Sequence, residues 1–307
     1  MEVKVSKIAF VFPGQGTQFV GMGKDIYENS EIAKKEFDEI FGSLSFDLKD
    51  AMFNGPEETL KKTKYTQPAI VAMSLVLENL VRAKGIMPDF VAGHSVGEYA
   101  AMGSAGFLTL AEAVKLTSFR GEVMNEIAEK VNGGMAAIIG MESSDIIEAL
   151  KEVDGVVEAV NFNEPKQTVI AGDKQAIEKA CEVLKSKGAR RAMPLAVSGP
   201  FHSSLMKPAG EKLKKEAEKY NFKDASVTLV ANTTADFLTK PEEIKAEIYA
   251  QSFGPVKWVD TIKKLKENGV DTIYEIGPGK VLAGLIKKID KEIKVINVNS
   301  VEDVNNL

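Results

Sequence analysis

Phe90-Val91-Ala92-Gly93-His94-Ser95-Val96-Gly97 is the stretch whose reading decides the fold. A short apolar strand runs into a G-x-S-x-G turn, and a helical pattern takes over at once across residues 96–105. Strand, sharp turn and helix together are the setting of a nucleophile elbow. Glycines at 93 and 97 let the backbone turn without a Cβ clash, which lifts the Ser95 hydroxyl clear of the sheet. A helix beginning at Val96 would aim its N–H groups at the place where an oxyanion forms. The alternative is a tight turn in which Ser95 only caps the helix.

Upstream, residues 8–12 are a continuous apolar run, the pattern of a strand covered on both faces, ended by Pro13-Gly14-Gln15-Gly16. Helical patterns follow. The clearest covers residues 66–84, with Pro68 in its first turn and Gly85 just past its end. A further helix is expected over 109–129. Composition then changes at Asn132-Gly133-Gly134. Next come a strand (135–139), a helix (144–153) and two strands (156–161, 167–171) around an Asn163-Glu164-Pro165 turn. A helix (173–187) capped by Asp173 and stopped by Gly188 leads to a last strand, 190–195. The order βαββαβ is that of a ferredoxin-like split unit. After Ser198-Gly199-Pro200 the larger pattern resumes with a helix at 204–220. Strands at 227–231, 272–276 and 295–298 then alternate with helices at 241–251, 256–267 and 280–288. Residues 302–307 read as a frayed tail. The expected fold class is α/β. A mostly parallel sheet occupies residues 1–130 and 198–307, and a small subdomain is inserted at 131–197.

The chain has 307 residues and a net charge of −5, which argues against bulk nucleic-acid binding. Two histidines, His94 and His202, and one cysteine, Cys181, cannot build a disulfide framework or a Cys/His zinc cluster, so no metal is expected. The apolar run near the N-terminus meets Pro13-Gly14 too early for a signal peptide. No stretch approaches the ~20 apolar residues of a bilayer span. A cytoplasmic monomer without membrane contact is the expectation. Gly14-Gln15-Gly16 lacks the third glycine of a dinucleotide fingerprint, and no Walker A pattern occurs, so no nucleotide cofactor is expected. Cys181 and Trp258 read as packing residues, and Lys61, Lys62 and Lys64 as a solvated face.

A serine nucleophile needs a base. His94 adjoins Ser95, and neighbouring side chains diverge in a sharp elbow, so His94 reads as a packing or hydrogen-bonding residue. His202 lies in a Gly-Pro loop where the chain re-enters the larger pattern, a usual place for catalytic side chains. A surface-loop histidine is the bland alternative. Arg120 is one of only four arginines (with Arg82, Arg190 and Arg191), and the other 35 basic residues are lysines. A guanidinium can grip a carboxylate with two parallel hydrogen bonds, which lysine cannot. The alternative is a solvated surface arginine.

Several segments together resemble the malonyl-CoA:acyl carrier protein transacylases. They are Phe12-Pro13-Gly14-Gln15-Gly16-Thr17-Gln18, Gly93-His94-Ser95-Val96-Gly97-Glu98-Tyr99, Pro200-Phe201-His202, Gln251 with Gly254-Pro255-Val256-Lys257-Trp258, and Glu275-Ile276-Gly277-Pro278-Gly279-Lys280. They occur in family order from Phe10 to about Leu285. The resemblance implies a hydrolase-like α/β domain with a ferredoxin-like insert, which agrees with the element order. It implies Ser95 as nucleophile, His202 as base, and the backbone N–H groups of Gln15 and Val96 as oxyanion hole. Gln251 would sit beside the histidine, which the family supports with backbone carbonyls rather than an acid. Arg120 would clamp the malonyl carboxylate, Phe201 would exclude an α-methyl group, and His94 joins the substrate-binding residues. The implied substrate is malonyl-CoA, a coenzyme A thioester, the implied partner is acyl carrier protein, and no cofactor is needed. An acidic carrier requires a local basic patch, for which Lys187, Arg190 and Arg191 are the candidates.

Three other readings share parts of this pattern. A serine esterase or thioesterase shares the elbow but adds an acid and places its histidine late in the chain. A patatin-like Ser-Asp lipase would have to use Asp154-Gly155, which falls inside the insert. A non-catalytic acyl-binding module would leave Ser95 and His202 incidental.

Overall fold

The computed structural model describes residues 6–307; residues 1–5 of the expected 1–130 portion lie outside the described residues. Among the described residues, ten strands form two sheets. They are β1 Lys7–Phe12, β2 Phe90–Gly93, β3 Gly133–Ile139, β4 Val157–Glu164, β5 Gln167–Asp173, β6 Arg191–Pro194, β7 Thr228–Val230, β8 Phe237–Leu238, β9 Val270–Ile276 and β10 Lys294–Val298. The six-stranded sheet has the order β10-β9-β1-β2-β7-β8 and is parallel except for β8.

The central position of β1 explains its unbroken apolar run. Its residues alternate between two cores, one on each face of the sheet. Phe10 and Phe12 enter the core made with the helices Thr63–Ala83, Gly97–Ala105 and Leu110–Lys130. Ala9 and Val11 face Trp258, Ile262 and Ile286 on the opposite side, from the helices Trp258–Glu267 and Val281–Ile289. The expected packing roles of Trp258 and Cys181 agree with their burial.

The second sheet is antiparallel, has the order β4-β5-β3-β6, and draws all its strands from within residues 133–194. This is the strand order of a ferredoxin-like unit. One face packs under the helices Ser143–Leu150 and Lys174–Ser186. The other brings Met135, Val160, Val169 and Ala171 onto Met124, Ile127, Phe201 and Met206, so that the small sheet packs on the end of the helix Leu110–Lys130 and on the segment that follows β6. A short bridge ties the two together: Phe162 N–H donates to Val256 O at 2.9 Å and Val256 N–H to Val160 O at 2.8 Å.

Several local expectations need correction. The 66–84 helix begins at Thr63, so Pro68 lies in its second turn. Asp173 does not cap the helix that follows it. Its carboxylate instead accepts from Val156 N–H at 3.0 Å and pins the start of the neighbouring strand. The 163–165 turn shrinks to a two-residue hairpin loop because β4 continues through Glu164. The helix expected at 204–220 starts as a 3₁₀ turn, Ser204–Met206, and becomes α-helical only over Lys207–Ala217. The tail is not frayed: Val301–Asn305 is a helix whose N-cap, Ser300, accepts from Asp303 N–H, and Val304 is buried. Edge strand β8 was not expected. Among the described residues, no helix is long and apolar enough to cross a membrane.

Candidate active site

The site lies at the carboxyl ends of β1, β2 and β7, the end at which open parallel sheets place their ligands. β2 delivers Ser95. The two glycines of the turn are required by close approach: a Cβ on Gly93 would lie 2.0 Å from Gly97 C, and one on Gly97 would lie 2.1 Å from Phe12 O. The elbow is thus wedged against the end of β1, and Ser95 is left with φ of +51°, rare for a residue with a side chain. Such strain persists only where surrounding contacts over-determine it. Here two amides hold the residue from both sides. Ser95 N–H donates to Asn232 Oδ1 at 2.8 Å, and Ser95 O accepts from Gln251 Nε2 at 2.7 Å.

His202 arrives from the loop after β6, 107 residues further on, and is buried. Its Nε2 is 2.8 Å from Ser95 Oγ. Its Nδ1 is 2.9 Å from the carbonyl oxygen of Gln251 and 3.2 Å from that of Gly254. Two carbonyl acceptors fix the tautomer with the proton on Nδ1, so Nε2 is the acceptor for the serine proton. Among the described residues, no carboxylate stands in the third position. Burial first, and the Arg120 charge second, lower the His202 pKa from 6.5 to about 3, so the imidazole is neutral at pH 7 and able to act as a base.

Arg120, on the helix Leu110–Lys130, is fully buried. Nη1 donates to Gln67 Oε1 at 2.7 Å, while Nη2 donates to Gln251 Oε1 at 2.9 Å and to Ser95 Oγ at 3.3 Å. Its Nε meets no acceptor, and the guanidinium lies over the Tyr99 ring at 5.3 Å. A buried cation with neutral partners and a spare donor, beside the Ser95 hydroxyl, is an electrostatic complement for an anion.

These groups line a cavity of about 150 Å³ with Gln15, Gln67, Met124, Met135, Leu195 and Phe201. Gln15 is brought there by the turn after β1, where Gly14 lies close under the elbow: a Cβ on it would be 2.7 Å from His94 O. The Val96 N–H, at the start of the helix Gly97–Ala105, finds no acceptor among the described residues, nor does that of Gln15. Both are free to donate. His94 turns away from Ser95. Its Nε2 is 2.7 Å from Asn163 Oδ1 and its ring meets Trp258 edge-on at 5.6 Å, yet it still borders the cavity. Phe201 serves two ends, as core anchor and as cavity wall.

The proposed basic patch is separate from this cluster. Lys187, Arg190 and Arg191 are exposed, and Lys187 is already paired with Glu152 at 2.8 Å. Sequence reading missed Gln67, Glu98 and Asn232. Glu98 is a charged residue on a wholly buried helix face, and Gln67 and Asn232 are polar residues at the edge of apolar runs. That mismatch of polarity with pattern was the available signal.

Fold and site are those of an acyltransferase, and the comparisons agree: the acyl transferase domain family matches residues 9–304, and the chain belongs to that family. Among its relatives are two malonyl CoA-acyl carrier protein transacylases. That of Bacillus subtilis (strain 168) is 45% identical over 303 residues, covering 98% of this chain and 96% of that one. That of Haemophilus influenzae is 41% identical over 305 residues, covering 98% of each. An acyl carrier protein S-malonyltransferase from Vibrio cholerae superposes with a TM-score of 0.95 at 39% identity, covering 98% of this chain and 99% of that one. A malonyl-transacylase in complex with its type II PKS acyl-carrier protein gives 0.94 at 39% identity, covering 98% of each.

Proposed function

We propose that this chain moves a malonyl group from coenzyme A to the phosphopantetheine thiol of an acyl carrier protein, through an acyl-enzyme on Ser95. The observation that carries the reading is the placement of Ser95 Oγ within 2.8 Å of a neutral His202 and 3.3 Å of the buried Arg120. Nucleophile, base and carboxylate receptor converge on one atom.

In the first half-reaction His202 Nε2 takes the Ser95 proton as Oγ attacks the thioester carbonyl. The N–H groups of Gln15 and Val96 receive the oxyanion. The C–S bond then breaks and the proton passes to the departing thiolate of coenzyme A. The imidazolium that forms in between is stabilised by the carbonyl dipoles of Gln251 and Gly254. The second half-reaction is the reverse, with the carrier thiol deprotonated by His202 and attacking the malonyl ester. Thioester exchanges for thioester, so neither cofactor nor metal enters.

Arg120 selects the acyl group. With the malonyl carboxylate in place the guanidinium gains an anionic partner, while an acetyl group leaves it without one. Discrimination of roughly 10²–10⁴-fold follows from the cost of a buried unpaired charge. Phe201 restricts branching at the α-carbon, and His94 borders the acyl site. The absence of a third-position acid, and the early position of His202, disfavour the esterase reading. The protein acts in the cytoplasm as a monomer, with Lys187, Arg190 and Arg191 contributing to the carrier or coenzyme-phosphate surface.

Intact-mass measurement after mixing with malonyl-CoA alone is the test. A single malonyl adduct, lost in Ser95→Ala, is expected. No adduct on the native protein, or an undiminished one on the variant, would overturn the reading.

A further inference from the structure

Both amides that grip Ser95 are anchored on one side chain outside the reacting set. Glu98 is fully buried on the helix Gly97–Ala105. Its Oε1 accepts from Asn232 N–H at 2.8 Å and its Oε2 accepts from Gln251 Nε2 at 2.8 Å. Asn232 in turn accepts at Oδ1 from Ser95 N–H and donates from Nδ2 to Gly93 O at 2.6 Å. Gln251 spends its two amide protons on Glu98 and Ser95 O, which leaves Oε1 to face Arg120 Nη2. An amide has one oxygen and one nitrogen, so the acceptors at Glu98 and Ser95 O together turn the oxygen of Gln251 towards Arg120.

We infer that Glu98 is a positioning residue that sets the Gln251 amide, and through it fixes both the strained elbow and the orientation of the Arg120 carboxylate receptor. This inference rests on the proposed malonyl transfer and names what enforces its selectivity. Burial and the neighbouring Glu247 raise the Glu98 pKa, and Glu98→Gln is nearly isosteric with the acid, but it replaces an oxygen that can accept from Asn232 N–H or Gln251 Nε2 with an NH₂ that cannot. Whichever way the new amide turns, an N–H faces either Asn232 N–H or Gln251 Nε2. If Gln251 yields and flips, its own NH₂ meets Arg120 and its bond to Ser95 O is lost.

Glu247 provides the control. It is buried beside Glu98 and bonded to it and to Asn232 N–H as well as to Thr233 N–H and Oγ1, but it makes no hydrogen bond to Gln251, Ser95 or Arg120. The experiment measures the rate of Ser95 acylation by malonyl-CoA and by acetyl-CoA, with melting temperature, for the native chain, Glu98→Gln, Glu98→Asp and Glu247→Gln. Expected is a fall of about 10-fold or more in the malonyl-to-acetyl ratio for Glu98→Gln. Glu98→Asp, which keeps both acceptors, should retain more of the ratio. Glu247→Gln, which reaches the site only through Glu98 and Asn232, should lower the ratio less than Glu98→Gln does. Should Glu98→Gln fail to fold, Glu98→Asp carries the test, because one methylene less must loosen one of the two grips and lower the ratio measurably. A native ratio in the folded Glu98 variants, or an equal fall in Glu247→Gln, overturns the inference. Failure of the native chain to take malonyl at Ser95 would instead sink the functional reading beneath it.

Discussion

Ser95, His202 and Arg120 meet within hydrogen-bond reach although no two of them share an element. Arg120 invites the most direct test of the acyl selectivity. Arg120→Lys keeps a charge but loses the planar fork that serves Gln67, Gln251 and Ser95 together. Acylation by malonyl-CoA should fall by roughly 10²-fold in kcat/KM, with a much smaller change for acetyl-CoA. Equal losses for both would point to general damage and not to a carboxylate receptor.

His202 gives a prediction in pH. Its folded pKa, near 3, lies below its ordinary 6.5, so the unfolded chain binds the proton first. The contribution of the neutral imidazole to stability is therefore full above pH 6.5 and is lost progressively as pH falls toward 3. In NMR spectra the His202 ring signals, assigned by comparison with His202→Asn, should not titrate between about pH 8 and 5. A midpoint near 6.5 would contradict the burial and the Arg120 field. At this scale the sequence disclosed the residues whose chemistry is specific to their type: a serine between glycines, one spare histidine, a rare arginine. It did not disclose Asn232, Glu98 or Gln67. Their function is to accept or donate at one fixed angle, a property created only when distant segments close on one another.

The elements carry that closure. Gly97 abuts the end of β1, so Gly97→Ala must push a methyl group into Phe12 O. The expected result is loss of Ser95 acylation, with either a large fall in melting temperature or insoluble protein. A well-folded, active Gly97→Ala would mean that the elbow tolerates a different path. At the other end of the chain, Ser300→Ala removes the cap of the Val301–Asn305 helix and should cost about 1 kcal/mol, a drop on the order of 2 °C in melting temperature, with activity unchanged. The type and order of most elements were legible because their apolar periods are long and unmixed. Their ends were not. The Thr63 start precedes its apolar stripe, Asp173 found a better donor in Val156 than in its own helix, and the short final helix depends on burying Val304 against a core built from distant segments. Each of these is a tertiary choice made over a local preference.

At the scale of the whole molecule, a chain of net charge −5 would repel an acidic carrier unless the docking surface carries local positive charge. That charge has to be local, since exposed charges beyond a Debye length, about 10 Å at 0.1 M salt, are screened. Arg190 and Arg191 are exposed, and β6 connects them to the cavity wall: Arg191 pairs with Ile139, Pro194 with Ala136, and Leu195 lines the site. Four residues of strand put the patch roughly 13 Å from that wall, a place where it can steer a carrier without touching the acyl group. Lys187 adds less, because Glu152 already partners it. Replacing Arg190 and Arg191 by serine should raise the KM for carrier protein several-fold and flatten its dependence on salt. The rate at which malonyl-CoA acylates Ser95 should stay near native if the arginines serve the carrier. If they instead hold the coenzyme phosphates, that acylation step will weaken and the carrier step will not. Replacing Lys187 alone should do little to either. Unchanged kinetics and salt dependence in both half-reactions for the arginine pair would remove the patch from the docking surface and leave carrier recognition to other parts of the cavity rim.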